Sequence, residues 1–141
     1  MLTIILASVM SLSVFAAESF LTEAKQNGLR YDFTCQAGYE FVMNHSVTVN
    51  GLGRPDGSDY GGMMYEHTIL LWDCETQKRV CIGVVGPESP IDDLGFRTVQ
   101  LETPVTLYEG CHYIITSTEE LSGDFWYDVG TGAVVSRKIR A

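Results

Sequence analysis

The chain has 141 residues, 45% of them hydrophobic and 19% charged, with a formal net charge of −9 at pH 7. This is the length of one domain, and so apolar a composition excludes an intrinsically disordered chain. The negative charge repels phosphate backbones and therefore argues against nucleic acid as a partner.

Residues 1–17 form an apolar segment without a charged side chain, and the first charge is Glu18. A run of this length that ends on small residues is typical of a secretory signal peptide. Val14-Phe15-Ala16 fits a cleavage site, so we predict a signal peptide over residues 1–16. Because no Lys or Arg precedes the run, an uncleaved membrane anchor and a buried helix stay open as alternatives.

Residues 17–30 are predicted to form a short N-terminal helix and linker. Three apolar side chains fall on one face of a helix over residues 18–27, and Gly28 follows as a stop signal. Residues 31–141 are predicted to be the folded domain that follows.

Turn signals recur at short intervals after Gly28, and the segments between them have the alternation of strands. The predicted strands are 31–35, 38–43, 47–53, 68–74, 80–85, 96–102, 111–117 and 132–135. Thr103-Pro104 is expected to end the sixth strand. The pattern predicts an all-β domain, an antiparallel β-sandwich with jelly-roll-like topology.

Leu107 and Tyr113 lie six residues apart around Gly110. This spacing suits a tyrosine corner, in which the phenol bonds to the backbone a few residues upstream. A core tyrosine on a strand is the alternative.

The four cysteines are an even number, as a set of disulfides requires. If a hairpin turns at Gln77-Lys78, Cys74 faces Cys81 across the two strands at bridging distance. Cys35 would then pair with Cys111 and join an early strand to a late one. Reduced buried thiols are the alternative, and the lack of a CxxC pair disfavours a zinc site.

Chemistry-bearing motifs are scarce in this sequence. His45, His67 and His112 have no partner at metal-ligand spacing, so each is interpreted as a structural or exposed histidine. No G-x-S-x-G motif is present, and no catalytic residue is predicted. Sandwich glycosidases collect carboxylates from distant strands, but the strand glutamates are interpreted as ordinary outward-facing residues: Glu40, Glu66 and Glu102.

Two loops, 54–65 and 118–128, carry the side chains best able to contact a ligand. The predicted ligand-binding residues are Asp56, Asp59 and Tyr60 in the first loop and Asp124, Trp126 and Tyr127 in the second. Trp126 is the principal candidate, because a tryptophan at a loop tip offers a large contact area. A plain core position is the alternative for Trp126.

Two further predictions concern a bound calcium ion and an attached glycan. Asp56-Gly57-Ser58-Asp59 offers oxygen ligands that suit calcium, although the spacing is not that of an EF-hand; no other cofactor is expected. Asn44-His45-Ser46 is a glycosylation sequon, which predicts a glycan on Asn44 if the source is eukaryotic.

Several of these segments resemble a known family. The blocks H-T-x-x-L-W at residues 67–72 and T-P-V-T-L-x-x-G-x-x-Y at residues 103–113 resemble an uncharacterised jelly-roll family of secreted microbial surface proteins. The resemblance covers roughly residues 38–118 and implies a fold but no activity. A weaker similarity, through V-T-V-N-G-L-G at 47–53 and P-V-T-L at 104–107, is to PHR domains of larger eukaryotic proteins.

These observations together predict a secreted, non-enzymatic binding or structural module for adhesion, matrix or surface assembly. Its expected partner is an extracellular glycan or protein, or a second copy joined through edge strands. The alternative function is an extracellular enzyme that acts on glycans.

Overall fold

The computed structural model describes residues 19–25, 29–32, 34–127, 132–135 and 137–140. Within these ranges the chain forms strands and one short 3-10 turn, Ser58–Tyr60. The strands are β1 (Leu21–Lys25), β2 (Leu29–Arg30), β3 (Cys35–Met43), β4 (Val47–Pro55), β5 (His67–Asp73), β6 (Lys78–Val85), β7 (Phe96–Leu107), β8 (His112–Glu119), β9 (Trp126–Tyr127), β10 (Gly132–Val135) and β11 (Ile139–Arg140).

The strands form two packed layers, and every pairing is antiparallel. One layer is a five-stranded sheet in the order β11-β3-β8-β5-β6, and the other contains the long pair β4-β7. Pairing β3 with β8 and β4 with β7 nests one hairpin ribbon inside another, as in a jelly roll. The predicted antiparallel β-sandwich is therefore confirmed.

The core lies between the layers because inward side chains alternate along each strand. Phe41 and Tyr113 contact each other on the five-stranded sheet, with ring centroids 5.9 Å apart. Leu71 and Leu107 belong to the same buried cluster and come from opposite layers. At Gly83 a Cβ atom would lie 2.6 Å from Cγ1 of Val99, so the glycine allows β7 to approach β6 closely.

The tyrosine corner is confirmed. The backbone N–H of Tyr108 donates to the hydroxyl oxygen of Tyr113 over 3.0 Å, at the turn that joins β7 to β8. Tyr113 is 2% exposed, so its ring belongs to the core while its hydroxyl closes the turn.

The predicted helix over residues 18–27 is wrong where the structure describes it. Residues Leu21–Lys25 form β1, which pairs with β10. Tertiary pairing overrides the helical pattern, because isolated helices of this length are marginal in water. β2 pairs with β9 in the same way. The predicted signal peptide, residues 1–16, lies outside the described residues.

The expected break at Thr103-Pro104 is an irregularity inside β7. The register passes from Gly51 opposite Gln100 to Val49 opposite Val105, so residues 101–104 bulge from the ladder. Pro104 is exposed there, a position where a residue without an N–H is tolerated in a strand.

Both predicted disulfides are wrong, since no disulfide joins any of the four cysteines in the structure. The hairpin turns at residues 74–77 and not at Gln77-Lys78, so Cys74 lies in the turn beyond Asp73 while Cys81 lies opposite Leu71. Cys74 thus lies about 10 Å further along the strand axis than Cys81, too far to bridge.

Cys35 and Cys111 lie at opposite ends of the β3-β8 pair. Cys35 faces Glu119 at one end, and Cys111 follows the Val42–His112 pair at the other. Eight strand steps separate them by about 25 Å.

We expect all four cysteines to react as thiols. Denaturation and alkylation without reductant should modify four positions by mass spectrometry, and prior reduction should add none. Modification of only two positions before reduction would contradict the structure.

The tyrosine corner gives a second expectation. Tyr113→Phe leaves the Tyr108 N–H without its acceptor and should lower the free energy of unfolding by about 1–2 kcal/mol. Urea denaturation measures the change, with the exposed Tyr108→Phe as the matched control. Equal stability of the two variants would show that this hydrogen bond does not stabilise the turn.

Candidate functional site

The two loops predicted to carry the site meet at one end of the sandwich. They line a cleft of about 50 Å³, small beside the several hundred Å³ of an ordinary ligand pocket. The lining residues are Asp56, Gly57, Tyr60, Gly62, Met64, Gly123, Asp124 and Phe125. The sequence therefore located the loops correctly, but the cleft between them has room for only a few atoms.

Glycines shape the first loop. Gly57, Gly61 and Gly62 have positive φ angles of 69°, 104° and 78°, which other residues adopt at a cost. They turn the chain around Asp56, whose carboxylate lies 3.3 Å from the position a Cβ would take on Gly62. The loop therefore closes over its own aspartate.

Asp56 serves this loop as a structural anchor. Its carboxylate accepts hydrogen bonds from Nε of Arg97 at 2.6 Å, from the N–H of Met63 at 3.3 Å and from the hydroxyl of Ser58. Burial acts to raise the pKa of Asp56, but the hydrogen bonds from Ser58, Arg97 and Met63 outweigh it and hold the pKa below its ordinary value.

A buried ion pair lies beneath both loops. Arg54 donates from Nε to Glu119 Oε1 at 3.0 Å and from Nη2 to Glu119 Oε2 at 2.8 Å, a bidentate arrangement. Arg54 is 4% exposed and Glu119 1%. Nη2 also donates to the carbonyl of Phe125 at 2.9 Å, so β4 holds the second loop through its backbone.

His67 continues this network toward the surface. Its Nδ1 donates to the carbonyl of Thr118 at 2.6 Å, and its Nε2 lies 3.0 Å from Oδ2 of Asp124. Both ring nitrogens therefore face oxygen atoms of the network. The ring links the end of β8 to the loop that carries Asp124.

Asp124 fastens the second loop to the first. Its carboxylate accepts from the N–H groups of Met64 at 2.8 Å and Tyr65 at 2.9 Å, besides His67. Burial acts to raise the pKa of Asp124, but hydrogen bonds from His67, Tyr65 and Met64 outweigh it and keep the pKa below its ordinary value. The side chain is thus ionised and fully engaged at neutral pH.

Apolar side chains project outward above this network. We define the aromatic cluster as Tyr31, Tyr60, Met64, Tyr65 and Phe125. The ring of Phe125 contacts Tyr31 at 4.8 Å and Tyr60 at 5.7 Å between centroids. Met64 is 63% exposed, and the three tyrosines are 47% to 52% exposed.

The predicted ligand-binding residues divide by burial. Asp59 and Tyr60 are exposed, whereas Asp56 and Asp124 are buried anchors. Tyr127 lies on β9, where it pairs with Leu29.

Trp126 does not stand at an exposed loop tip as expected. It is 8% exposed, with the guanidinium carbon of Arg30 5.3 Å from its ring centroid. Pairing of β9 with β2 turns the ring inward, and the exposed contact area comes from the tyrosines instead.

The structural interpretation of the histidines is confirmed. His67 is buried in the network, His45 lies in an exposed turn, and His112 bonds to Glu40 at 3.1 Å on the surface. Glu40 and Glu102 are exposed on their strands, as predicted, and Glu66 is exposed in the loop just before β5. Nδ2 of Asn44 donates to the carbonyl of Arg137 at 3.1 Å, so the sequon ties the β3-β4 turn to the segment before β11.

No metal site emerges from the part of the chain that the structure describes. It holds no group of three or more His, Cys, Asp or Glu side chains arranged for an ion. At the position considered for calcium, Asp56 is committed to Arg97 and Ser58. The same described ranges contain no helix long and apolar enough to cross a membrane.

Sequence reasoning missed the network of Arg54, His67 and Glu119. The sequence nevertheless indicated these positions, because each of the three residues lies two positions from an inward-facing residue of the same strand. Arg54 follows Leu52 by two positions, His67 precedes Ile69 by two, and Glu119 follows Ser117 by two.

The fold and site define an antiparallel β-sandwich with loops fixed by buried ion pairs. Comparison with protein-family models, curated proteins and solved structures finds no match for the chain.

The anchoring aspartates predict an acid-sensitive fold. A carboxyl whose pKa is lower in the folded than in the unfolded chain stabilises the fold above its unfolded pKa, near 3.8. That stabilisation is lost as the pH falls through the lower folded pKa. We expect the free energy of unfolding to fall below about pH 4, and Asp124→Asn to weaken this dependence.

Urea denaturation at a series of pH values measures the effect. Asp59→Asn, which removes an exposed carboxylate of the same end, is the matched control. An acid dependence identical in the Asp124 and Asp59 variants would contradict the anchoring role of Asp124.

Proposed function

We propose that the chain is a non-enzymatic, extracellular or surface-associated module that binds a protein partner through the aromatic cluster. The observation that carries this is a group of three exposed tyrosines and an exposed methionine with the half-buried Phe125, held by a buried ion-pair network. Tyrosine and methionine are enriched at protein interfaces, where rigid rings give contact area at low entropic cost.

Charge supports a basic partner surface. The chain carries a net charge of −9, and Asp59, Glu66 and Glu120 are exposed on the loops that bear the cluster. Such a surface attracts Lys and Arg side chains, which also stack on tyrosine rings. It repels anionic ligands such as sulfated glycans.

The cleft argues for a surface contact over a bound small molecule. It measures about 50 Å³, and both of its carboxylates are held by hydrogen bonds to protein groups. A glycosidase presents two carboxyl groups across a groove that admits a sugar ring. The observations on Asp56 and Asp124 therefore favour the binding module over the glycan-active alternative.

The extracellular setting is proposed from the N-terminal segment. The uncharged apolar run over residues 1–17 is the pattern of an export signal. The resemblance of the 67–72 and 103–113 blocks to secreted microbial surface proteins supports the same setting. Adhesion, matrix or surface assembly are the roles that such a module fits.

Paired tyrosine variants test the binding surface. A Lys- and Arg-rich peptide with interspersed Leu is the probe, and Tyr60→Ala with Tyr65→Ala should weaken its binding at least about tenfold, or ~1.4 kcal/mol. Biolayer interferometry measures the affinity. The substitutions leave the net charge unchanged, so a loss of binding reports the aromatic contact and not the electrostatic attraction between the protein and the peptide.

Tyr108→Ala is the matched control, since Tyr108 is 61% exposed and lies outside the cluster. Its binding should equal that of the unchanged chain. Equal binding by all variants would overturn the proposal, as would binding confined to neutral glycans on an array.

A further inference from the structure

The cleft between the two loops has the size of one compact chemical group. Its volume is about 50 Å³, and a water-sized group occupies roughly 10–15 Å³ of such a space, so about four of them fill it. A trimethylammonium head, which consists of one nitrogen and three methyl groups, matches this size. A sugar ring is too large to enter.

Two aromatic rings and a thioether line the cleft. The rings of Tyr60 and Phe125 are inclined at 55° to each other, with centroids 5.7 Å apart, and Met64 lines the same space. An aromatic ring attracts a cation within about 6 Å of its centroid, and a thioether gives polarisable contact to methyl groups. A cation that fills the cleft therefore contacts both rings.

The charged side chains of the lining are carboxylates, those of Asp56 and Asp124. Among the described residues that line the cleft, none is a Lys, Arg or His. Both carboxylates already accept hydrogen bonds from protein groups. The donors are Arg97, Met63 and Ser58 for Asp56, and Met64, Tyr65 and His67 for Asp124.

This saturation selects the kind of cation. A primary ammonium brings three N–H donors and loses their hydrogen bonds to water on entry, with little acceptor capacity left in the cleft to replace them. A quaternary ammonium has no N–H group. Its methyl groups pack on rings and thioether while its charge is attracted by the ring faces and the carboxylates. The lining therefore favours a methylated cation over a bare one.

We propose that this cleft takes the trimethylammonium head of a methylated lysine on the protein partner. The inference rests on the proposed binding role of the aromatic cluster and names the side chain that enters it. A lipid choline head carries the same cation next to a phosphate, which the exposed carboxylates of these loops repel: Asp59, Glu66 and Glu120. A methylated lysine carries no such anion.

Three peptides that differ at one position test the cation. The probe is the Lys- and Arg-rich peptide with interspersed Leu, whose central residue is lysine, trimethyllysine or the neutral isostere with a tert-butyl group in place of trimethylammonium. Biolayer interferometry on the full chain should show about five- to tenfold tighter binding of trimethyllysine than of the other two. Binding of lysine or of the isostere as tight as that of trimethyllysine overturns the proposal.

Tyr60→Leu and Phe125→Leu test the location. Each removes a lining ring but keeps an apolar side chain, so each should abolish the preference for trimethyllysine. Tyr60 is 47% exposed, so its variant is expected to fold even if Phe125→Leu does not, and circular dichroism checks both. A preference that persists in folded Tyr60→Leu overturns the site.

Tyr65→Leu is the matched control. Tyr65 is 52% exposed and belongs to the aromatic cluster, but it is not among the residues that line the cleft. Its variant should weaken all three peptides alike and leave their ratio as it is. A ratio that falls as far as in Tyr60→Leu would move the cation out of the cleft and overturn the proposal.

The outcomes separate this inference from the binding role on which it rests. Equal binding of the three peptides, still weakened by Tyr60→Ala with Tyr65→Ala, refutes the cation site alone. Absence of binding by every peptide refutes both. In competition with the trimethyllysine peptide, choline should act at lower concentration than phosphocholine, and the reverse order would assign a lipid head group and overturn the lysine source.

Discussion

The bidentate contact between Arg54 and Glu119 is the interaction on which the loop end depends. Both side chains are almost fully buried, and an isolated charge in such a position costs several kcal/mol. They coexist because each is the other's partner, because the hydroxyl of Ser117 donates to Glu119, and because the carbonyls of Pro55 and Phe125 accept from Arg54. Removal of either charge would leave its partner buried and uncompensated.

The same network explains how short loops present a stable surface. Asp124 accepts from two consecutive backbone N–H groups of one loop and from His67 on β5. Asp56 closes the first loop through Arg97 on β7. The loop backbones are thereby bonded to strands of both layers, so the aromatic cluster loses little further entropy when it meets a partner.

The sequence predicted the features that depend on local pattern. Alternation and turn residues located β3 to β8, β10 and the tyrosine corner at Tyr113, but not β1, β2, β9 or β11. What failed was the hairpin register, because the chain turns at residues 74–77 and not at Gln77-Lys78, so Asp73 pairs with Lys78 and Cys74 lies in the turn. The position and length of the turn set the register of the whole hairpin, and the polar stretch from Glu75 to Arg79 allows more than one turn.

The sequence predicted the two loops of the candidate site but not the placement of their side chains. Loop chemistry singled out residues 54–65 and 118–128, which line one cleft, yet the burial of Trp126 depends on the pairing of β9 with β2, which no local pattern shows. The buried charges could have been predicted from the sequence, because the alternation of side chains along a strand alone places Arg54, His67 and Glu119 on the inward face. Inward charges on three strands require mutual pairing, and that inference needs no knowledge of the loops.

The molecule departs from an ordinary sandwich in two opposite ways. At the loop end, charged side chains lie inside the core, and they are satisfied by one another through short hydrogen bonds. Beside the β6 edge, apolar side chains lie outside, where no described strand covers them. The first departure is compensated within the chain and yields rigidity. The second leaves Ile82 and Val84 about half exposed, so the free energy would fall if another surface covered them.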